Sequence, residues 1–241
     1  MGALAAALLT ACASDTTTSV ATPAQEQLTL DVASVSADAA ATDVELMRGP
    51  GNGPFGLGLL ARNGHFECDA ADRPNLTITR TCTYKDAAGA TQAAYDSLTT
   101  ASVAMHVVVE GDVARDKWSA TVRRVRDLVV TGLAGRETQA TWNATGSGTA
   151  TRVRVTDSTT RTYEIASTGT ITNVVLPVPR TAASWPLSGI ITKHVVVKGA
   201  DGTTVERTVT ITFNGTQFAT VTVNGESFQF DLSQRGRPRR P

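Results

Sequence analysis

Three cysteines and three histidines are the residues of this chain with the most chemistry in them. Cys68 and Cys82 stand 14 residues apart, which is not a zinc-ligand spacing. In an oxidising compartment such an even pair reads as a disulfide. Closing a loop of about 15 residues stabilises the fold by roughly 3 kcal/mol in the chain-entropy model. His106-Val107-Val108-Val109-Glu110-Gly111 is echoed by His194-Val195-Val196-Val197-Lys198-Gly199, and Asp112 and Asp201 follow. If the echo is a duplication, the two imidazoles could approach each other and hold a transition metal with one of those carboxylates. The spacing is not diagnostic, and ordinary strand residues are the better reading. Asp96, Asp112, Asp116 and Asp157 are expected at turns, where Asp bonds its own backbone. No Gly-x-Ser-x-Gly elbow, Ser-x-x-Lys, His-Glu-x-x-His or phosphate-binding glycine loop occurs. The sequence therefore offers no catalytic residue, no metal site and no cofactor.

Cys12 has a different context. A small and apolar run, Ala3 to Leu9, leads into Leu9-Thr10-Ala11-Cys12, and the polar segment Ala13 to Thr18 follows. This order resembles the lipobox of bacterial lipoproteins. The resemblance implies that residues 1–11 are a signal peptide and that Cys12 is acylated and becomes the new N-terminus. It implies a lipid anchor in a bacterial cell envelope, and each buried methylene of such an anchor adds about 0.8 kcal/mol of membrane affinity. Ala13, rather than Asp, follows the cysteine, which by the sorting rule of enteric bacteria points to the outer membrane. With Cys12 acylated, Cys68 and Cys82 remain as the disulfide pair.

The chain carries 22 basic and 22 acidic residues, for a formal charge of zero. That balance argues against a nucleic-acid partner, which needs a basic face. Acidic residues dominate from Cys12 to Asp72, while the C-terminus, residues 233–241, is a basic tail. No later apolar run approaches the roughly 20 residues of a membrane helix.

The elements that must position these residues read as strands. Residues 12–40 are rich in Ala, Ser, Thr and Asp and read as a flexible tether. Residues 41–63 read as an irregular lead-in, with one short helix over Ala37–Met47 before the glycine-proline run at 49–54. From Gly64 to Leu232 the Thr, Val and Ile content suits pleated surfaces. Turn signals recur at Lys85–Gly89, Glu110-Gly111-Asp112, Gly132–Gly135, Gly146-Ser147-Gly148, Gly199–Gly202, Asn214-Gly215 and Asn224-Gly225. They predict an all-β fold of about ten to twelve strands. It would be a large, curved antiparallel meander: an open sheet, a partly closed barrel or a sandwich.

Two expectations are sharp. Asn224-Gly225 should be a two-residue loop pairing Val221 with Phe228 and Ala219 with Phe230. Asn214-Gly215 should lie in an odd-length loop, such as a three-residue turn with a glycine bulge, so that Val209 and Ile211 share a face with Ala219 and Val221. Trp118, Ala120 and Val122 sit on even positions but Val125 and Val129 on odd ones, which predicts a bulge near Arg123-Arg124. Trp118, Trp142 and Trp185 are expected as core anchors.

Three functions compete. The first is a lipid-anchored, non-catalytic envelope protein with a structural or binding role and an envelope-protein partner. The second is a periplasmic carrier holding an apolar or lipid ligand in a curved sheet. The third is an envelope hydrolase with an unrecognised site.

Overall fold

The computed structural model describes residues 75–115, 118–134, 137–155, 160–178, 184–223 and 225–232. Cys12, Cys68, the Ala37–Met47 segment and the basic tail lie outside them. The described residues contain no helix and form ten strands. These are β1 (Leu76–Asp86), β2 (Thr91–Gln92), β3 (Thr100–Arg115), β4 (Trp118–Thr131) and β5 (Gln139–Val155). They continue as β6 (Thr160–Pro177), β7 (Ser188–Gly199), β8 (Thr204–Thr212), β9 (Phe218–Val223) and β10 (Glu226–Asp231). All belong to one open antiparallel sheet in the order β10-β9-β8-β7-β6-β5-β4-β3-β1-β2. From β3 onward each strand pairs with the next, as short connections require.

Local chemistry closes the turns. Asp86 Oδ1 accepts from the amides of Ala88 (2.9 Å) and Ala90 (2.8 Å), while Gly89 takes φ 85°. Asp201 Oδ1 accepts from the Thr203 amide at 2.9 Å, and Gly202 takes φ 83°.

Both C-terminal expectations hold. Glu226 pairs with Val223, Phe228 with Val221 and Phe230 with Ala219. Val209 pairs with Val223 and Ile211 with Val221. The connection at Asn214-Gly215 is odd but longer than three residues, running from Phe213 to Gln217.

Other readings need correction. Glu110-Gly111-Asp112 is no turn; it lies inside β3, so Asp112 is a strand residue. Gly111, at φ 137°, leaves room for Asn75, whose carbonyl accepts from the Asp112 amide at 2.8 Å and which a Cβ at Gly111 would strike. Gly146-Ser147-Gly148 likewise lies inside β5. No bulge interrupts β4, which pairs without a shift on both sides. Its even positions stay on the buried face throughout: Ala120, Val122, Leu128 and Val130 are buried, while Val129 is 44% exposed. Arg124 and Arg126 fill the positions between, which the apolar pattern read as a change of side. Register shifts fall elsewhere: one between β1 and β3 at Lys85/Asp86, and one in β6 opposite Trp142–Ala144, where Asn173 takes φ 49° and its amide donates to Asn143 Oδ1 at 2.9 Å.

One face of the sheet is the core. Tyr84, Val103, Val130, Trp142 and Val174 line one end of it, and Met105, Leu128, Ile171, Ile191, Ile211 and Val221 follow. A smaller cluster, Tyr163, Ile165, Val195, Val197 and Val205, sits toward the other end on β6 to β8. Of the tryptophans, Trp142 is fully buried. Trp118 and Trp185 are half-buried, and the Arg152 guanidinium lies 4.4 Å from the Trp118 ring centre.

Candidate functional site

The two faces of the sheet carry charge in different ways. On the outer face, charges are matched one to one across neighbouring strands. His106 Nδ1 lies 2.7 Å from Asp127 Oδ1. Arg123 Nε donates to Glu110 Oε1 at 2.6 Å, and Lys198 Nζ lies 3.3 Å from Glu164 Oε2. His194 Nε2 lies 3.6 Å from Glu206 Oε2, and Thr121 Oγ1 donates to Asp112 Oδ1 at 2.6 Å. The ion pairs are about half exposed, so each contributes little to stability, about 0–1 kcal/mol. Between them run hydroxyls. The register aligns Asp127, Thr145, Thr170, Thr192, Thr210 and Thr222 across six consecutive strands. A shallow groove of about 270 Å³ crosses the same region, with Arg123 and His194 at its sides and Ser147, Thr149, Ala166 and Thr168 on its floor.

His106 and His194 do not meet. They stand on β3 and β7, four strand steps or about 19 Å apart. Each faces a carboxylate of its own, and among the described residues no three metal-ligating side chains converge. The echo also ends differently in its two copies. Gly111 and Asp112 continue β3, whereas Gly199 closes β7 and Asp201 lies in the turn beyond. Asp96 and Asp201 do lie at turns. The Leu98 amide holds the Asp96 carboxyl below the usual carboxylate range, and the Thr203 amide and hydroxyl do the same for Asp201. Burial pushes the Tyr95 hydroxyl up, and the Asp96 and Glu137 carboxylates add to this.

Cys82 is on the core face. It pairs in register with Met105, packs on the main apolar cluster and is disulfide-bonded. No other cysteine is among the described residues.

The core face holds the feature that sequence reasoning missed. Arg80, Arg124, Arg126, Arg152, Arg154, Lys193 and Arg207 all fall on its register, and none is exposed. Lys193 is only 8% exposed. Five of them form a belt across the middle of the sheet. One row reads Arg80, Val107, Arg126, Gly146, Gly169, Lys193, Val209. The next reads Ile78, Val109, Arg124, Gly148, Ser167, Val195, Arg207. From β1 to β8 the belt spans six strand steps, about 29 Å.

Glycine makes the belt fit. A Cβ on Gly148 would meet Arg124 Cγ first, at 3.2 Å, while one on Gly146 would lie 2.9 Å from the Val125 carbonyl and 3.0 Å from Arg126 Cγ, and one on Gly169 3.1 Å from the Thr192 carbonyl and 3.3 Å from Lys193 Cγ. The aliphatic stems thus lie over bare glycine backbone, as long cationic side chains do when they cover apolar surface. The signal was present in the sequence as glycines inside strands, a mark of close approach. It was read instead as a turn.

No protein-family model matches this chain, and neither the curated proteins nor the solved structures contain a match to it.

Proposed function

We propose that this chain is a lipid-anchored protein of a bacterial cell envelope with a non-catalytic structural or binding role, and that its outer face meets an envelope-protein partner. The anchor is Cys12, in the Leu9-Thr10-Ala11-Cys12 context. The single observation that carries the non-catalytic reading is the spread of charge on the outer face. Its acids are engaged one to one with a cation or hydroxyl on the next strand, several ångströms from the next pair. Catalysis needs two or three groups converging on one reacting atom. Matched pairs strung across a Thr-rich sheet make a broad polar surface instead, suited to contact over area. The half-exposed ion pairs set charge complementarity and register more than affinity.

The carrier reading has one observation in its favour. The core face mixes apolar clusters with cations, which suits an anionic amphiphile. Against it stands Cys82, which packs on the apolar cluster of that face and is disulfide-bonded, so it is not free to line a ligand site.

Two measurements test the proposal on the full chain. Cys12→Ser should move the protein from the membrane to the soluble fraction, and equal membrane retention would sink the anchor. Native mass spectrometry of the detergent-solubilised protein should give the polypeptide with its acyl groups and nothing else. A co-purifying lipid would favour the carrier, and a bound metal would favour an enzyme.

A further inference from the structure

The shallow groove on the outer face has its origin in side-chain length. The two strands beneath it carry short residues there, Ser147 and Thr149 on β5, Ala166 and Thr168 on β6. The strands on either side carry long ones, Arg123 on β4 and His194 on β7. One row across the sheet reads Glu110, Arg123, Thr149, Ala166, Val196, Glu206. Each acid of that row therefore stands one strand outside the groove, behind a basic side chain. Glu110 accepts from Arg123 Nε at 2.6 Å from the β3 side, and Glu206 faces His194 Nε2 at 3.6 Å from the β8 side. The acids orient the two basic side chains without entering the groove. A guanidinium has five N–H donors, and the bond to Glu110 uses one. Its terminal Nη fork is the end that grips a carboxylate with two parallel bonds. On the far wall the second ring nitrogen of His194, Nδ1, is the matching donor.

Two basic side chains thus stand on opposite sides of an uncharged floor, three strand steps or about 14 Å apart at their backbones. Such a groove selects an occupant with an anionic group toward each end. The floor narrows the choice. Ser147, Thr149 and Thr168 offer hydroxyls that both donate and accept, as peptide N–H and C=O groups require. The threonine methyls, Ala166 and Val196 add apolar contact. Among the described residues, no aromatic ring lines the groove to stack a sugar or a base. We propose that this groove clamps an extended acidic segment of a protein partner, with one carboxylate on Arg123 and a second on His194. An extended chain rises about 3.4 Å per residue, so about four residues cross from β4 to β7. Acids three positions apart, about 10 Å, reach both walls. The proposal rests on the reading of the outer face as the partner surface, and it names that partner's chemistry: an extended segment with spaced carboxylates.

Fluorescence anisotropy of a labelled decaglutamate peptide, titrated with the full-length protein in non-ionic detergent at low salt, tests this. Saturable binding should appear below about 1 mM. Arg123→Ala and His194→Ala should each weaken it about tenfold, the scale of one lost charge-assisted bond. Arg123→Lys keeps the charge but not the fork and should recover only part of the loss. Ala166→Phe leaves every charge in place and fills the floor, so it should weaken binding as much as Arg123→Ala. Lys198→Ala removes a cation of the same face that lies outside the groove, and it should change affinity less than about twofold. Decaglutamine should not bind. All four positions are exposed, and urea midpoints check that the variants fold. The proposal is overturned if no saturable binding appears, or if Arg123→Ala and Ala166→Phe bind as wild type does. It is overturned equally if Lys198→Ala weakens binding as much as Arg123→Ala, which is diffuse attraction to the whole face. Tighter binding of polygalacturonate than of decaglutamate, at equal carboxylate concentration, would overturn it too, because the occupant would be a sugar acid. Membrane fractionation of Cys12→Ser and native mass spectrometry test the anchored, non-catalytic reading without involving the groove, so failure of one is not failure of the other.

Discussion

Gly148→Ala should destabilise the protein even though alanine is the better strand residue, and Arg124 should be the reason. An alanine in place of a glycine within a strand gains about 0.5–1 kcal/mol from lower chain entropy. Here the new Cβ would sit 3.2 Å from Arg124 Cγ, 3.3 Å from the Arg123 carbonyl and 3.5 Å from Ser167 Oγ. The first two are tight and the third is ordinary contact, with Arg124 Cγ the tightest. Overpacking of this kind costs about 1–3 kcal/mol, so the net loss should be about 0.5–2 kcal/mol. Arg124→Ala alone should cost about 2 kcal/mol, from stem methylenes worth about 0.8 kcal/mol each. In the Arg124→Ala background the tightest contact is gone, and Gly148→Ala should become neutral or stabilising. The double-mutant cycle should therefore give a coupling of about 1 kcal/mol or more. The assay is urea unfolding of oxidised protein, followed by far-UV circular dichroism, for the four members of the cycle. A Gly148→Ala single variant at least as stable as wild type would refute the packing of the Arg124 stem on this glycine. Additivity within about 0.5 kcal/mol would refute it as well.

Trp142→Ala should cost about 3–5 kcal/mol, because the ring is fully buried, and Trp118→Ala clearly less, as read from urea midpoints. Gly111→Ala should be among the most destabilising single changes in β3, because φ 137° and the Asn75 carbonyl both oppose a Cβ, and a normal melting temperature would contradict this. Asp201 has a depressed carboxyl pKa, so its stabilising effect is full above the unfolded value of about 3.9 and is lost as pH falls through the lower folded value. Opening of the β7–β8 turn, read from Thr203 amide exchange corrected for intrinsic rate, should rise below about pH 4 in wild type and lose that dependence in Asp201→Asn.

Strand content and the C-terminal register were legible because they rest on a period of two that turn chemistry enforces. Val209, Ile211, Ala219 and Val221 could share a face in only one way, and the structure has them so. The internal glycines misled. Gly111, Gly146 and Gly148 look like turn residues, but the first admits Asn75 and the other two admit arginine stems. Neither partner is near in sequence, so nothing local marks the difference. The histidine echo was legible as a pattern but not as a place, since strand order decides how far apart matching residues stand.

The belt was hidden for a further reason. Apolar periodicity assumes that the buried face is written in apolar residues. In β4 the inward positions read Trp118, Ala120, Val122, Arg124, Arg126, Leu128, Val130, and two arginines in mid-run look like the end of one pattern and the start of another. Arg123 and Arg124 show what decides the matter. They are adjacent and chemically identical, and parity sends them to opposite faces. Arg123 meets Glu110 on the next strand in solvent, where losing the pair costs little. Arg124 points to the core face, where its stem lies over Gly148.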